Sequence, residues 1–402
     1  MERFDKQLIF ILLLGLTIRA YAIYFFGDNS LENEWGILVK NLENEKIFGF
    51  RSFNGEILPT IYMPPLYAYF LYFLKIFLPI NETYYVNFVL YIQLLLSLIS
   101  IVILNKLLKN FFSDFIRKLG IITFTFFPLN IYSITQISSV SVYIFLSILY
   151  FYFMFLTIKK KKINYLIFFS IVSSFLILVR GEYFLIYFLT LIFLFLKGKN
   201  IRLIFISFCA TLLLVSPYLI RNYLIFDTIT ITKTTGYNLW KGNNQFSNSE
   251  GYEVIINDTL QENIKNLKIS KKYDLDYDNL FKHQAIENLR QDPIKYFIRF
   301  IQKNISFYFF DFQSSYPNYF NLIHIIPKII LSTLALIGGI QSIFIKTGKQ
   351  KEIKFFLLYY LIYGTIFSVF FILPRYSLML LPVQIVLLCV LLSQIKYFKK
   401  FK

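Results

Sequence analysis

The sequence contains little charge and few of the residues that usually bind metals or form disulfides. Only 16% of its 402 residues are charged, whereas a soluble domain is normally near a quarter charged. The two cysteines, Cys209 and Cys389, and the two histidines, His283 and His324, match no disulfide framework and no metal-ligand spacing. The chain also has no phosphate-binding loop, dinucleotide-binding motif or serine-hydrolase motif. These absences argue against a soluble protein and against the common nucleotide-binding folds.

Long apolar runs occupy most of the chain instead. The sequence is 57% hydrophobic with a mean hydropathy of +0.58, and its runs of roughly 17–24 residues can cross ~30 Å of hydrocarbon as helices. They show no strict alternation, so helices are favoured over a β-barrel. We therefore predict an all-α polytopic membrane protein with about 10 transmembrane helices. The predicted spans are 8–26, 84–104, 119–135, 138–157, 163–179, 182–196, 203–220, 325–345, 355–373 and 376–395.

Lysine and arginine cluster in every second gap between these runs, and about half of the 41 such residues lie there. Short basic loops normally lie on the cytoplasmic face, so the alternation predicts ten spans with both termini in the cytoplasm. The formal net charge of +18 then reflects topology, and we expect no nucleic-acid partner. The clusters are Arg3 and Lys6, Lys106 to Lys118, Lys159 to Lys162, Lys197 to Arg202, Lys346 to Lys354, and Lys396 to Lys402.

This topology divides the chain into three parts. Residues 1–220 form a transmembrane domain whose first outward loop is 27–83, residues 221–321 form an outward subdomain, and residues 322–402 form the C-terminal spans. Within the first loop, the apolar stretch Pro64–Pro79 is interrupted by Lys75, which favours an interfacial or re-entrant helix over a span. We predict a mixed fold for 221–321, with a short strand in the β-branched run Thr228–Thr232 and helix over 279–310.

Three acidic residues, Asp28, Glu32 and Glu34, lie in the first outward loop just before a helical pattern. Acids in the first turn of a helix, or just before it, stabilise the helix dipole and cap its amides. A carboxylate at the mouth of the membrane is also suited to act as a general base toward a hydroxyl group. Both interpretations stay open, and Asp28 is the residue that best fits the role of a cap.

Three arginines at the ends of predicted spans, Arg180, Arg221 and Arg375, fall on the same outward face as these acids. Arginine at membrane depth is costly and usually pairs or faces a polar cavity. Arg180 has a local partner in Glu182, and Arg221 can extend its guanidinium to the interface. Alternatively, the three guanidinium groups together bind one lipid phosphate at the bilayer surface.

Two outward segments supply candidates for substrate contact. Tyr62 and Tyr67 flank the paired prolines Pro64-Pro65, which also serve as a rigid entry to a helix. The second segment is rich in glycine and asparagine, as ordinary turns are, and carries a tryptophan. Amides and aromatic rings are also what a carbohydrate site uses. The candidates here are Asn222, Asn238, Trp240 and Asn243.

The order of these motifs resembles the bacterial GT-C membrane glycosyltransferases related to protein O-mannosyltransferases and lipid A aminoarabinose transferases, over most of the chain. The most specific stretch runs from Pro217 to Tyr252; the other matching segments are Glu32 to Trp35, Asn41-Leu42, Met63 to Tyr67, Arg180 to Glu182, Asp292-Pro293 and Arg375-Tyr376. The sequence departs from the family at Leu31, where an Asp is usual, and at Gln136 to Val140, where relatives often carry a Glu.

The resemblance implies a GT-C-like fold in a bacterial inner membrane and a polyprenyl-phosphate-linked sugar donor. It also implies inverting transfer at the periplasmic face to a lipid, glycan or protein acceptor of the cell envelope, with Glu32 or Glu34 as base. No cofactor is identified, and a divalent metal stays an open alternative. Two other interpretations remain: an O-antigen ligase or polymerase, and a flippase or transporter of lipid-linked sugars.

Overall fold

A computed structural model describes residues 6–77, 81–160, 162–316, 319–344 and 349–395. The basic residues Arg3, Lys161, Lys346 and those of 396–402 lie outside the described residues. The helices are α1 Lys6–Phe26, α2 Glu34–Asn44, α3 Pro65–Phe77, α4 Glu82–Leu108, α5 Asp114–Phe126, α6 Pro128–Ser133, α7 Val140–Lys160, α8 Ile163–Val179, α9 Tyr183–Leu196, α10 Ile201–Phe226, α11 Thr235–Asn243, α12 Asp258–Lys265, α13 Tyr273–Gln291, α14 Pro293–Tyr308, α15 Leu322–Phe344, α16 Gln350–Val369, α17 Pro374–Leu378 and α18 Leu381–Gln394; the strands are β1 Gly49–Phe53 and β2 Glu56–Pro59.

Six of the described helices are long and apolar enough to cross a membrane: α1, α4, α7, α10, α15 and α16. Each coincides with a predicted span, and the multi-pass, mostly helical architecture is confirmed. Three shorter apolar helices, α8, α9 and α18, also coincide with predicted spans. The full count of about ten stays a prediction.

The predicted span 119–135 is interrupted. Helix α5 ends at Phe126, and α6 begins at Pro128. Proline has no N–H to donate and disfavours helical backbone in the residue before it, and Phe127 is accordingly extended, with φ −66° and ψ 117°. The two short helices therefore replace the single predicted helix.

Helices α7 and α18 form the centre of the bundle. Every residue of Leu381–Val390 in α18 is buried, as expected for a helix that is apolar on all sides. Small residues bring its neighbours close: a Cβ added to Gly338 of α15 would lie 2.1 Å from the carbonyl oxygen of Leu387. Close backbone approach of this kind is typical of membrane helices.

Helix α1 carries a charge into the bundle. Arg19 is completely buried, and its Nε donates to Ser97 Oγ of α4 at 3.0 Å, while Nη1 donates to the Gly15 carbonyl at 3.3 Å. Its other terminal nitrogen, Nη2, has no hydrogen-bond partner among the residues that the structure describes. Arg19 thus links α1 to α4 through a hydroxyl group.

The first outer segment folds as α2, a β-hairpin and α3. The hairpin turns at Asn54-Gly55, both with positive φ, which is the conformation that a two-residue hairpin turn requires. Helix α3 has 13 residues, too few to cross a bilayer, and Lys75 near its end pairs with Glu43 at 2.6 Å. This agrees with the non-spanning helix predicted for Pro64–Pro79, of which 78–79 are outside the described residues.

The second outer segment differs from the prediction of a mixed fold. The run Thr228–Thr232 forms no strand, because its backbone is held by a side chain: Asn222 Nδ2 donates to the Thr230 carbonyl at 2.6 Å. Within the described residues of 221–321 the regular structure is helical. Its apolar centre is formed by Trp240, Leu260, Phe281 and Ala285.

Helix α14, in the region predicted as helical, connects this segment to the membrane bundle. Its last turns run antiparallel to the outer half of α16: Asn304 donates to Ser368 Oγ at 3.2 Å, and Tyr308 Oη donates to the Tyr360 carbonyl at 2.6 Å. The outer helices are therefore packed directly on the spans.

Candidate active site

A cavity of about 1090 Å³ lies where the two outer segments meet the membrane helices. Its walls come from the start of α2, the loop around Tyr62, the α8–α9 connection, residues 229–241, and residues 366–376. Six charged side chains line it: Glu34, Arg180, Glu182, Lys241, Glu253 and Arg375. The cavity thus brings together residues that are far apart in the sequence.

Glu34 is the acid of the first loop that faces this cavity. Asn33 caps α2, its Oδ1 accepting from the amides of Trp35 at 3.0 Å and Gly36 at 3.3 Å, so that Glu34 is the first residue of the helix. The side chain is half-buried and has no hydrogen bond or ion pair within the described part of the chain. Glu32 precedes the cap, is exposed and does not line the cavity.

Asp28 is engaged with the backbone of the α6–α7 connection. One carboxylate oxygen accepts from the Ile137 amide at 2.6 Å, and its own amide donates to the Thr135 carbonyl at 2.9 Å. Burial raises the pKa of the Asp28 carboxyl group, while the hydrogen bond from Ile137 lowers it. Asp28 does not line the cavity, so its geometry is that of a residue that fixes the first loop.

Arg180 lies in the cavity wall with its charge already paired. Its Nη1 donates to Glu182 Oε1 at 3.2 Å, and the guanidinium group lies 4.7 Å from the ring centre of Tyr376 and 5.7 Å from that of Phe367. These contacts hold Arg180 in one place. The local pair considered in the sequence is therefore formed.

Arg375 has no hydrogen bond or ion pair in the described ranges, although it is half-buried in the cavity wall. Pro374 begins the short helix α17, which fixes the backbone at this point. Just before it, the Ile372 amide donates to the Ser249 carbonyl at 2.9 Å. The guanidinium of Arg375 is thus presented from an anchored backbone with its donors free.

The sequence did not single out Lys241 and Glu253, which form a second ion pair in the wall. The ammonium group of Lys241 also lies 4.4 Å from the ring centre of Phe371. Lys241 belongs to the glycine- and asparagine-rich stretch, and its regular helical spacing from Tyr237 would have indicated one face of α11. Nothing local to Glu253 marks it, because its partner is on another element.

Arg221 lies outside this cavity. Its Nη1 donates to the Thr60 carbonyl and to Asn222 Oδ1, each at 2.8 Å, and its Nη2 donates to the Phe48 carbonyl at 3.3 Å. Its donors therefore bind α10 to the first outer segment. Arg221 does not join Arg180 and Arg375 around one ligand, and Asn222 holds the 228–232 loop.

Some of the predicted substrate residues line the cavity, and others lie behind its walls. Tyr62 and Asn238 line the cavity. Tyr67 is completely buried and donates to Gln93 Oε1 at 3.1 Å, whereas Trp240 packs at 4.6 Å on Phe281. Asn243 Nδ2 donates to the Leu239 and Val369 carbonyls at 2.8 and 2.9 Å. These last three support the walls and do not face the cavity.

One part of the cavity wall is apolar and belongs to membrane helices. It is formed by side chains of α8, α9 and α10, whose exposed outer faces are those of membrane-facing helices. The apolar wall residues are Ile177, Phe184, Phe208, Leu212, Val215 and Leu219. The cavity therefore combines a charged region with a region suited to hydrocarbon.

The described residues contain no group of three or more His, Cys, Asp or Glu side chains arranged to hold a metal ion. Of the acids in the cavity, Glu182 and Glu253 are each paired with a cation. The open alternative of a divalent metal gains no ligand set from this part of the chain.

No protein-family profile and no curated protein matches the sequence, but solved structures match the whole fold. The oligosaccharyltransferase AglB from Archaeoglobus fulgidus, in complex with an inhibitory peptide and a dolichol-phosphate, aligns with 98% of this chain at 14% identity and a TM-score of 0.56. The same enzyme tethered to an acceptor peptide aligns with 99% at 12% and 0.55, and its complex with Zn and sulfate with 97% at 14% and 0.56.

The chain has a GT-C fold. This is the fold of AglB, a membrane glycosyltransferase of the GT-C superfamily, and it confirms the GT-C resemblance seen in the sequence. The chain spans about half the length of the solved structures that it matches, 49–50% in these three. At 12–14% identity, this likeness establishes the fold alone.

Proposed function

We propose that this protein transfers a sugar from a lipid-phosphate-linked donor to an acceptor at the periplasmic face of the inner membrane, using Glu34 as the base. The observation that carries the proposal is the pair of charges, Glu34 and Arg375, that have no partner among the described residues and lie in one cavity whose wall continues into apolar helices. The GT-C fold, shared with an oligosaccharyltransferase crystallised with dolichol-phosphate, supports the same assignment.

In the proposed reaction, Glu34 acts on the acceptor hydroxyl and Arg375 acts on the phosphate of the donor. An acceptor hydroxyl oxygen attacks the anomeric carbon, its proton passes to the Glu34 carboxylate, and the bond from that carbon to the phosphate oxygen breaks. Arg375 stabilises the negative charge on the departing lipid phosphate. Attack opposite the leaving group inverts the anomeric centre. Arg180, held by Glu182 and Tyr376, extends the positive wall beside Arg375.

The lipid and the sugar are assigned to different walls. The apolar surface of α8, α9 and α10 is suited to the isoprenoid chain of a polyprenyl phosphate. Tyr62 and Asn238 offer a ring and an amide to sugar hydroxyl groups, as carbohydrate sites do. The acceptor is a cell-envelope lipid, glycan or protein.

The topology completes the proposal. Ten spans with both termini in the cytoplasm of a bacterial inner membrane place the cavity on the periplasmic side. In this arrangement 1–220 and 322–402 form the transmembrane part, and 27–83 with 221–321 cover the site. The broken segment α5–α6 serves as one of the ten crossings.

The decisive measurement is the release of polyprenyl phosphate when the purified protein is incubated with a panel of polyprenyl-phosphate hexoses and pentoses and with cell-envelope lipids, glycans and proteins as acceptors. Glu34→Gln should lower release by about 10²–10⁴-fold, the usual contribution of general base catalysis. Glu32→Gln is the matched control and should retain activity, because Glu32 is exposed and outside the cavity. Full activity of a folded Glu34→Gln variant would overturn the assignment. A wild type that moves these lipids between leaflets without releasing phosphate would identify a flippase instead.

A further inference from the structure

Lys303 of α14 lies between two elements of the cavity wall and is completely buried. Its ammonium nitrogen donates to the Phe370 carbonyl at 2.6 Å, to Asn243 Oδ1 at 3.1 Å and to the Gly242 carbonyl at 3.3 Å. All three acceptors are uncharged. The lysine therefore joins the C-terminal end of α11 to the segment 369–373, which we call the Arg375 loop because Arg375 follows it.

The number of acceptors matches the protonated form of the side chain. An ammonium group has three N–H donors and no acceptor, so each N–H can be directed to one of the three oxygens. A neutral amine has two N–H donors, and its lone pair would face the third oxygen. Loss of the proton therefore removes one hydrogen bond and replaces it with a repulsive contact.

The elements that Lys303 joins both carry residues of the candidate site. Helix α11 contributes Asn238 and Lys241 to the cavity wall, and the Arg375 loop contributes Phe370 and Phe371. The approach of the two is unusually close, since a Cβ on Gly242 would lie 1.8 Å from the Phe370 carbonyl oxygen. Only glycine permits this contact, and Lys303 donates to the carbonyls on both sides of it.

We propose that Lys303 is a positioning residue whose protonated side chain holds the Arg375 loop against α11 and thereby sets Arg375 in the cavity wall. Deprotonation loosens the loop at the Phe370 carbonyl, five residues before Arg375. We call the contacts of Lys303 with α11 and the Arg375 loop the clamp. The effect of loosening it on sugar transfer rests on the proposed function, but the clamp itself does not.

The surroundings make this proton easy to lose near neutral pH. Burial, and secondarily the nearby positive charge of Arg299, lower the pKa of Lys303 to about 7. Arg299 itself donates to the Asn244 carbonyl at 2.6 Å. Among the elements packed against Lys303, α11 has one charged residue, Lys241, which is paired with Glu253. The Arg375 loop has no charged residue. Helix α13 approaches through the side-chain amide of Asn288, which donates to the Asn243 carbonyl. No carboxylate neutralises the ammonium group among these contacts.

Stability and clamping should respond to pH in opposite directions. Folding lowers the pKa of Lys303 from 10.5 to about 7, so the unfolded chain binds this proton more tightly between those values. The contribution of Lys303 to folding stability therefore increases as pH rises from about 7 toward 10.5. The clamp weakens over the same interval, which separates a positioning role from a merely structural one.

Hydrogen–deuterium exchange of the full-length protein in detergent tests the clamp without any substrate. Protection of residues 366–376 should be measured at about pH 6, where about nine-tenths of Lys303 is charged, and at about pH 8.5, where only a few per cent is charged. After correction for intrinsic exchange, we expect about tenfold less protection at the higher pH. Protection that does not change with pH in the wild type would overturn the proposal, whatever the variants do.

Variants at the same position provide the second measurement. Lys303→Arg keeps a charged donor at every pH used and should make both protection and transfer nearly independent of pH. Lys303→Met should show the weak protection of the high-pH wild type at every pH. Lys295→Met is the matched control, since Lys295 is exposed on the same helix, and should follow the wild-type profile.

The outcomes distinguish this inference from the proposed function. Wild-type phosphate release from polyprenyl-phosphate sugars should fall about tenfold between pH 7 and 8.5, with the maximal rate changing more than the KM for the acceptor. If release is absent but protection follows the expected profile, the clamp stands and the proposed function fails. If release is normal but a folded Lys303→Met variant keeps full protection and rate, the clamp fails and the proposed function stands.

Discussion

Two of the six charged side chains that line the cavity, Glu34 and Arg375, have no charged or hydrogen-bonding partner in the described residues. The other four form the pairs Arg180–Glu182 and Lys241–Glu253. A charge that is half-buried without a partner lacks part of its solvation, and such groups are common at sites that bind or transform a ligand. The pairing within the cavity therefore distinguishes residues that shape the site from residues that are free to meet a substrate.

The two arginines Arg375 and Arg221 should behave differently when truncated. Arg375→Met removes a free guanidinium and should raise the KM for the lipid-linked donor about 10- to 100-fold, the value of one or two charge-assisted hydrogen bonds. Arg221→Met leaves the Thr60 carbonyl without its guanidinium donor and removes one of the two donors to the Phe48 carbonyl, so it should lower the unfolding temperature with little change in that KM. Steady-state kinetics and thermal unfolding check both, and a larger KM effect at Arg221 would contradict the assignment.

Asp28 provides a test of whether the first loop contains one functional acid or two. Asp28→Asn keeps an oxygen for the Ile137 amide and removes a carboxylate whose pKa is raised by burial. A raised pKa means that the ionised form weakens the folded state as pH increases through that value. Asp28→Asn should therefore be at least as stable as the wild type at pH 7 and remain active.

Asp28→Ala is the contrasting variant, because it leaves the Ile137 amide without an acceptor and should cost about 1–3 kcal/mol of stability. Thermal unfolding and phosphate release should be measured on both variants. A stable but inactive Asp28→Asn protein would show that Asp28 takes part in the chemistry.

The sequence could identify these residues as candidates but could not choose among them. Glu32 and Glu34 are two positions apart, and the choice depends on which polar residue caps α2. Asp28, Asn29, Ser30 and Asn33 are all suitable caps by type, and only the folded chain shows that Asn33 is the cap and that Asp28 is not. Arg221 was likewise grouped with Arg180 and Arg375, but it lies outside the cavity, and its partners are carbonyls of a distant segment, which no local pattern reveals.

The elements of the fold were predictable wherever apolar length decided the outcome. Six helices coincide with predicted spans, and the non-spanning character of α3 follows from its length and Lys75. The run Thr228–Thr232 was predicted as a strand because β-branched residues favour strands. No strand lies beside it in the described part of the chain, and a tertiary contact from Asn222 determines its backbone instead.

The approach of α11 to the Arg375 loop depends on one glycine. Gly242→Ala would place a methyl group 1.8 Å from the Phe370 carbonyl oxygen, so the two elements must separate. We expect a loss of about 1–3 kcal/mol in stability, typical of overpacking. Gly181→Ala is the matched control, since its Cβ would meet nothing closer than 3.4 Å. Thermal unfolding of both variants checks this, and equal stability would contradict the close contact.

The whole molecule is a membrane bundle with two outer segments that close over its outward end. Lysine alternation and apolar runs predict this arrangement without any structure. The position of the cavity cannot be predicted in this way, because it depends on how segments from distant parts of the chain come together. The sequence alone therefore predicts a membrane face for the site and leaves the walls of the cavity undefined.

Because the chain has only two cysteines, both can be replaced and its orientation in the membrane can be tested with introduced cysteines. In a Cys209→Ser, Cys389→Ser background, Lys271→Cys should react with a membrane-impermeant maleimide in intact spheroplasts. Lys106→Cys should react only after lysis, because it lies in a predicted cytoplasmic loop. Both lysines are exposed, so their accessibility differs only by side. Equal labelling of the two before lysis would contradict the ten-span topology.

Arg19 has a consequence for the biogenesis of the protein. An arginine near the centre of an isolated helix adds about 2.5–3.5 kcal/mol to its insertion into the bilayer. Its side-chain partner is Ser97 of α4, and α4 is synthesised only after the whole first outer segment. We therefore expect α1 to remain weakly inserted, or close to the insertion machinery, until α4 arrives. Helix α1 would in this way settle only after a helix that is made later than itself.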